Sequence, residues 1–278
     1  VSIPSIRDSI LEGVANLPAL PSAALRILEI TSDITSSPKD LMDVIKVDPI
    51  LTGKVLNLVN SSYFSMPQRI SSLNRALILL GLNTIKNIAL STAIVGSTKS
   101  DLKLKEVDEL WAHMLAVGVA SKMMAARAGH PRKILEEFFV AGLLHDIGDL
   151  MLLKFATEKT LNIMQTKEQN FLNRCQNELG ITGPECGKAV IEHWKLPAVF
   201  SEVVQHRQSA PESSSPLIQT IHYADHLTSN LDFGIVLTPM DQPLPKMDHI
   251  QLSEADIKEI INELPSEVEK AKVFISQR

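Results

Sequence analysis

An all-α fold of two helical lobes is what this sequence predicts, on three observations. Apolar residues recur at three- and four-residue spacing along most of the chain. Helix-starting and helix-stopping residues punctuate those stretches. Sustained period-two alternation, the mark of a half-buried strand, is absent. Composition agrees. Hydrophobic residues make up 45% of the 278 but aromatics only 4%, so Leu, Ile, Val and Ala carry the core, as suits packed helices. At 21% charged residues the chain reads as globular rather than disordered.

The first lobe is expected over 5–97, as short helices joined by tight turns. Ile6, Ile10 and Val14 form a stripe that ends before Pro18 and Pro21, and Leu25 and Leu28 begin the next. Ser37-Pro38 reads as an N-cap followed by proline at the first helical position, with Asp40 placed to close a capping box. Asp48-Pro49 repeats the signal ahead of Leu51, Val55 and Leu58. Leu73, Leu77 and Leu80 form a face that stops at Gly81. A further helix then carries Ile85, Ile88, Ala89 and Thr92. The Gly81 turn superficially suggests a helix-turn-helix, but the second helix offers only Lys86, so core packing is the expected role. The polar run 97–105 divides the lobes.

The second lobe is expected over 106–230. One long helix runs over 107–127 and is closed by Gly129 and Pro131. A second is expected to run unbroken over 133–155, a third over 161–180, then shorter ones over 183–194, 198–206 and 217–229. The Ser/Pro-rich stretch 210–216 reads as a loop. In 231–278, an irregular segment precedes a helix capped by Ser253, which is expected to break at Pro265 and resume.

The net charge of -5 argues against nucleic-acid partners and anionic lipid. The most apolar stretch, 76–96, is interrupted by Asn83, Lys86 and Asn87, so no membrane span is expected. Residues 1–10 hold Arg7 and Asp8 and no apolar core, unlike a signal peptide. Cys175 and Cys186 lack zinc-ribbon spacing and read as free thiols, which together with the missing leader points to the cytoplasm.

The polar residues that interrupt apolar helices carry the functional expectation. His145-Asp146 lies inside the apolar run 140–153, where a charged pair is costly unless something binds it. On the dipeptide alone, a structural cap-and-partner role serves equally well. His113 lies on the preceding long helix, on a face with Ala116, Val117 and Ala120, and Asp225 lies among apolar neighbours downstream. Imidazoles and carboxylates from three helices suit one divalent metal: iron, manganese, magnesium or zinc. His206 is a candidate fifth neighbour, and Asp146 is the catalytic candidate if the protein turns over substrate. Asp149, on the same helical side as His145, is expected to orient that imidazole; His222, three residues before Asp225, reads either as reaching the same pocket or as a satisfied core partner. His193 reads as a structural contact, His130 and His249 as loop residues, and His226 as facing elsewhere; Met123-Met124 reads as core filler.

The order His113, His145-Asp146, Asp225 resembles the H…HD…D signature of the HD superfamily of metal-dependent phosphohydrolases. Several further blocks resemble the HDOD family more closely. Leu17-Pro18-Ala19-Leu20-Pro21 is similar to its LPxLP opening. Val47-Asp48-Pro49-Ile50-Leu51-Thr52, then Val55-Leu56 and Asn60-Ser61-Ser62-Tyr63-Phe64, is similar to its VDPxLTxxVLxxxNSxxF block, and ISSLNRALILLGL over 70–82 to its SIxxAIxxLG block. Glu178-Leu179-Gly180 and Trp194-Lys195-Leu196-Pro197 also match. The resemblance implies an all-helical bacterial signalling or regulatory protein, recognising a protein partner or a small nucleotide. Many family members lose the HD ligands; this sequence keeps four. Against the related HD-GYP phosphodiesterases it lacks a histidine near Gly183-Pro184-Glu185, keeps only the first residue of a histidine pair at His206-Arg207, and carries Asp149 where a lysine follows the HD motif. Those departures imply at most one metal and weak or no phosphoester hydrolysis.

Overall fold

The computed structural model describes residues 5–32, 37–46, 48–98, 104–165, 171–207, 210–211, 214–235 and 250–276. Among them every regular element is helical, in the order α1 (Ile6–Ala15), α2 (Ser22–Ser32), α3 (Pro38–Lys46), α4 (Pro49–Val59), α5 (Leu73–Leu80), α6 (Leu82–Ser97), α7 (Lys105–Arg127), α8 (Leu135–Leu144), α9 (Ile147–Phe155), α10 (Thr157–Gln165), α11 (Phe171–Leu179), α12 (Gly183–His193), α13 (Ala198–His206), α14 (Pro216–Ser229) and α15 (Glu254–Ala271). Short 3₁₀ turns lead into α8 and follow α15. Parts of the expected lobe boundary, of the 210–216 loop and of the irregular C-terminal segment, with Val47 and His249, lie outside the described residues.

Local chemistry sets the helix starts. Ser5 with Asp8, Thr182 with Glu185 and Ser253 with Asp256 form reciprocal capping boxes. Ser37 and Asp40 exchange the same pair of bonds, Ser37 N donating to Asp40 Oδ2 at 2.7 Å. The Asp48 carboxylate accepts from Leu51 N at 2.9 Å, with Pro49 following.

In the first lobe, α2, α3, α4 and α5 pack around α6, whose residues are almost all buried. Gly81, at φ +82°, turns α5 into α6. The quoted sequence blocks act as joints here. The Asn60 side chain donates to Ile70 O at 2.8 Å and accepts from Ile70 N at 2.7 Å, tying α4 to the strand-like approach to α5. His193 Nε2 meets Leu17 O at 3.1 Å and Trp194 Nε1 donates to Pro18 O at 3.1 Å, so the LPALP segment is fastened to the end of α12. α1, expected with the first lobe, packs against α9 and α12 of the second.

In the second lobe, α7 is the spine against which α8, α14 and α15 pack, and α9 packs on α12. Lys122 of α7 donates to Tyr63 Oη at 2.9 Å and to Glu136 at 2.5 Å, joining the NSSYF segment to α8. Tyr63, Phe139 and Phe274 close that joint as an aromatic cluster.

The helix expected over 161–180 is described as α10 and α11, with 166–170 between them outside the described residues, and two further expectations differ. The helix expected over 133–155 is interrupted at His145-Asp146, where Asp146 (φ -108°, ψ 18°) leaves helical geometry. The helix expected to break at Pro265 continues through it. Ile257, Ile260, Leu264 and Val268 form one buried stripe across the proline, and burying such side chains at about 1.5–3 kcal/mol each outweighs the roughly 3 kcal/mol an interior proline costs.

The α7–α8 contact is set by two facing glycines. A Cβ on Gly142 would lie 2.6 Å from Gly118 Cα, and one on Gly118 would lie 2.8 Å from Phe139 O. Gly142→Ala is therefore expected to force the two backbones apart and to lower the unfolding free energy by about 1–3 kcal/mol, read from a urea transition with unchanged slope.

Candidate metal centre

Where α7, α8, α9, α13 and α14 meet, the fold gathers a polar cluster inside apolar surroundings. His113 comes from α7, His145 and Asp146 from the α8–α9 break, Asp149 from α9, Arg207 from the residue after α13, and His222 and Asp225 from α14. All seven are buried, none more than 5% exposed. The close α7–α8 approach brings the His113 and His145 rings to a centroid separation of 5.3 Å.

The ligand atoms converge. His113 Nε2 lies 3.1 Å from Asp225 Oδ1 and 3.9 Å from Asp146 Oδ2. His145 Nε2 lies 3.4 Å from Asp146 Oδ1 and 3.7 Å from Asp225 Oδ1. His145 Nδ1 donates to Gly142 O at 2.7 Å, which fixes the tautomer and leaves Nε2 as a lone-pair donor. That Nε2 is buried without a hydrogen-bond partner. His113, His145 and Asp146 each present one ligand atom, all within 4.8 Å of one another. The donor set thus fits one divalent ion, with Asp225 beside it.

Arg207 complicates that fit. Its Nη1 pairs with Asp146 Oδ1, and its Nη2 donates to Asp149 Oδ2 at 2.6 Å. Asp149 therefore serves Arg207 rather than orienting His145, whose Nδ1 is held by Gly142 instead. His222 supports the same residue: its Nδ1 donates to Arg207 O at 2.7 Å. His206 is partly exposed and shares no hydrogen bond or ion pair with the cluster among the described residues.

Backbone space is cut to fit the pair. A Cβ on Gly183 would collide with Asp149 Oδ1 and come within 3.3 Å of Arg207 Nη2, and one on Gly148 would collide with Gly183 O. Sequence reasoning noted the missing histidine near Gly183 and the missing second histidine at Arg207. It missed that these positions, with Asp149, form one unit. An acidic residue on one helix and a basic one on another, each replacing an expected side chain, was the available signal.

The electrostatics follow from burial. Burial, with Asp225 nearby, pushes the Asp149 carboxyl upward, and burial lowers Arg207; the 2.6 Å contact between them opposes both shifts. Each charge is costly alone, and the contact between them offsets that cost. At Asp225, burial acts upward, but the imidazoles of His145 and His113 beside it outweigh that and hold the carboxyl below its usual range. Burial lowers His113, against the upward pull of Asp225. Cys175 and Cys186 are buried and free, and burial raises both thiols, Cys186 to about 12.

Comparison with known proteins places this geometry. The HDOD domain model matches residues 17–210, so the chain belongs to the HDOD domain family. An HDOD domain protein of unknown function from Geobacter sulfurreducens is 26% identical, with a TM-score of 0.77 over 96% of each chain. A protein of Shewanella amazonensis named as a phosphohydrolase is 22% identical, with a TM-score of 0.72 over 97% of each chain. A protein of Marinobacter aquaeolei named for signal transduction is 21% identical, with a TM-score of 0.68, covering 96% of this chain and 61% of that one. An uncharacterized protein of Treponema pallidum is 25% identical over 235 residues, 81% of this chain and 44% of its own length, so the chain spans less than half of that relative.

Asp149→Ala is expected to leave the buried guanidinium half-paired and to cost about 3–5 kcal/mol in denaturant unfolding. Gly183→Ala should destabilise through the same contact, by displacing Asp149. Equal stability of both variants with the parent would show that the Asp149–Arg207 pair does not hold this part of the fold.

Proposed function

We propose that this HDOD chain is a regulatory module that acts by recognition, of a signalling protein or a small nucleotide, rather than by turnover. One observation carries the reading. The HD carboxylate, Asp146, is ion-paired with an internal guanidinium, inside a cluster no residue of which exceeds 5% exposure. A hydrolase of this type needs a reachable water and an anion site. Here the nearest fixed positive charge is spent on Asp146 and Asp149.

A second reading, metal-dependent hydrolysis of a nucleotide or cyclic nucleotide, is favoured by the converging His113, His145, Asp146 and Asp225 atoms. A divalent ion bound there would supply an acidified water. His113 and His145 would hold it, and Asp146 and Asp225 would balance its charge. The neighbours' names divide between signal transduction and phosphohydrolase, so the choice rests on this chain's own residues.

We place the protein in the cytoplasm, on its two free buried thiols. Among the described residues no single helix is long and apolar enough to cross a membrane; the α5–α6 pair reaches the length only across a 118° bend.

Purified protein with added manganese or iron is expected to hydrolyse cyclic dinucleotides and nucleotides weakly or not at all. Two terms are missing, an open in-line site and an uncommitted positive charge; losing one electrostatic contributor costs about 100- to 1000-fold in rate. Robust turnover that Asp146→Ala abolishes would put the hydrolase reading first.

A further inference from the structure

We propose that Arg207 is a built-in cation of the HD pocket, and that it and a divalent metal ion compete for Asp146. The metal pocket is the one described above; the new element is its internal competitor.

The charge inventory leads there. Asp146, Asp149 and Asp225 bring three carboxylates into a buried cluster with three imidazoles, and Arg207 is the guanidinium among them. Guanidinium stays protonated in proteins, so this positive charge is permanent. Its fork spans two carboxylates from the α8–α9 break and the first turn of α9. It therefore does electrostatically what a bound cation would do: it lets carboxylates stay buried in an apolar core.

The geometry makes the two cations rivals rather than neighbours. Asp146 Oδ1, which Arg207 takes, is also the oxygen 3.4 Å from His145 Nε2. An ion seated between His113, His145 and Asp146 would meet a positive guanidinium on one of its own ligands. For the ion to take Oδ1, Arg207 must let go of Asp146.

Arg207 is also positioned from behind. His222 Nδ1 holds its carbonyl at 2.7 Å, and Gly183 leaves the space in which Asp149 reaches it. These contacts exist to place the guanidinium and contribute nothing to ligating a metal. The imidazole Nε2 of His145, buried without a hydrogen-bond partner, shows that half of the ligand set is still presented. The pocket is thus a metal site held in a low-affinity state by its own side chain.

The test uses the full chain, stripped with a chelator and titrated with manganese by calorimetry, together with the shift in thermal midpoint that manganese produces. Arg207→Gln removes the charge while keeping a polar side chain. The double variant Arg207→Leu with Asp149→Leu replaces the whole pair by apolar groups, a change that buried pairs often tolerate, and keeps the test open if the single variant is unstable. Both are expected to bind one manganese ion per chain on the order of 10- to 100-fold more tightly than the parent. Their thermal midpoints should rise with manganese where the parent's barely moves. Adding His145→Ala should abolish the gain. Affinity equal to or below the parent's in both variants, or no binding in either, would overturn the proposal. Substrate turnover by the parent protein would instead overturn the regulatory reading and leave the metal competition standing.

Discussion

Charge buried in an apolar core has to be neutralised, and much of this molecule is arranged around that constraint. Three carboxylates and three imidazoles sit where five helices meet. The neutralising partner comes from the residue after α13, and its backbone is anchored by α14. For Asp149 to reach it, α12 must begin with glycine, and for α12 to lie that close, α9 must carry Gly148. The facing pair Gly118 and Gly142 sets the distance at which His113 meets His145. Small residues at each crossing are therefore conditions for the cluster to assemble.

Much of the fold was legible because its signals are local. Ser37, Asp48 and Ser253 announce helix starts through bonds made within one turn. Apolar spacing announces faces. What failed were places where a tertiary requirement overrides a local one. The apolar pattern runs straight through 145–146, so periodicity gives no warning of the break; the turn is imposed by presenting two polar side chains to one point. Pro265 gives a strong local stop signal, but the buried stripe on α15 continues past it and burial prevails.

The candidate site was legible as a list of residues and not as a network. His113, His145, Asp146 and Asp225 stand out as polar residues on apolar helices, and the structure brings them together. Arg207 does not stand out. It follows a short helix, beside a histidine, and charged residues at such places are usually solvated. Its role depends on Asp149, 58 positions earlier, and pairing over that separation has no sequence period to reveal it. Read singly, Asp149 and Arg207 are two losses from a phosphodiesterase pattern. Read together they are one buried ion pair, its positive charge supplied by the residue after α13.

The blocks that carry the family resemblance have a different task. Asn60 pins Ile70 within the first lobe, Trp194 and His193 pin the LPALP segment, and Lys122 bridges Tyr63 and Glu136. The last two sets of contacts hold one lobe to the other, and none of the three touches the metal-type ligands. α8 is where the two systems share an element. Glu136 and Phe139 face the joint with the first lobe, while Gly142 and His145 face the cluster, about 9 Å further along at 1.5 Å per residue from Glu136 to Gly142. A helix that short and that fully packed moves as a unit or not at all. The pocket and the joint with the first lobe therefore share one element. A module that signals by recognition needs that arrangement, with a buried site at one end of a helix and an interface at the other. A hydrolase needs only the site.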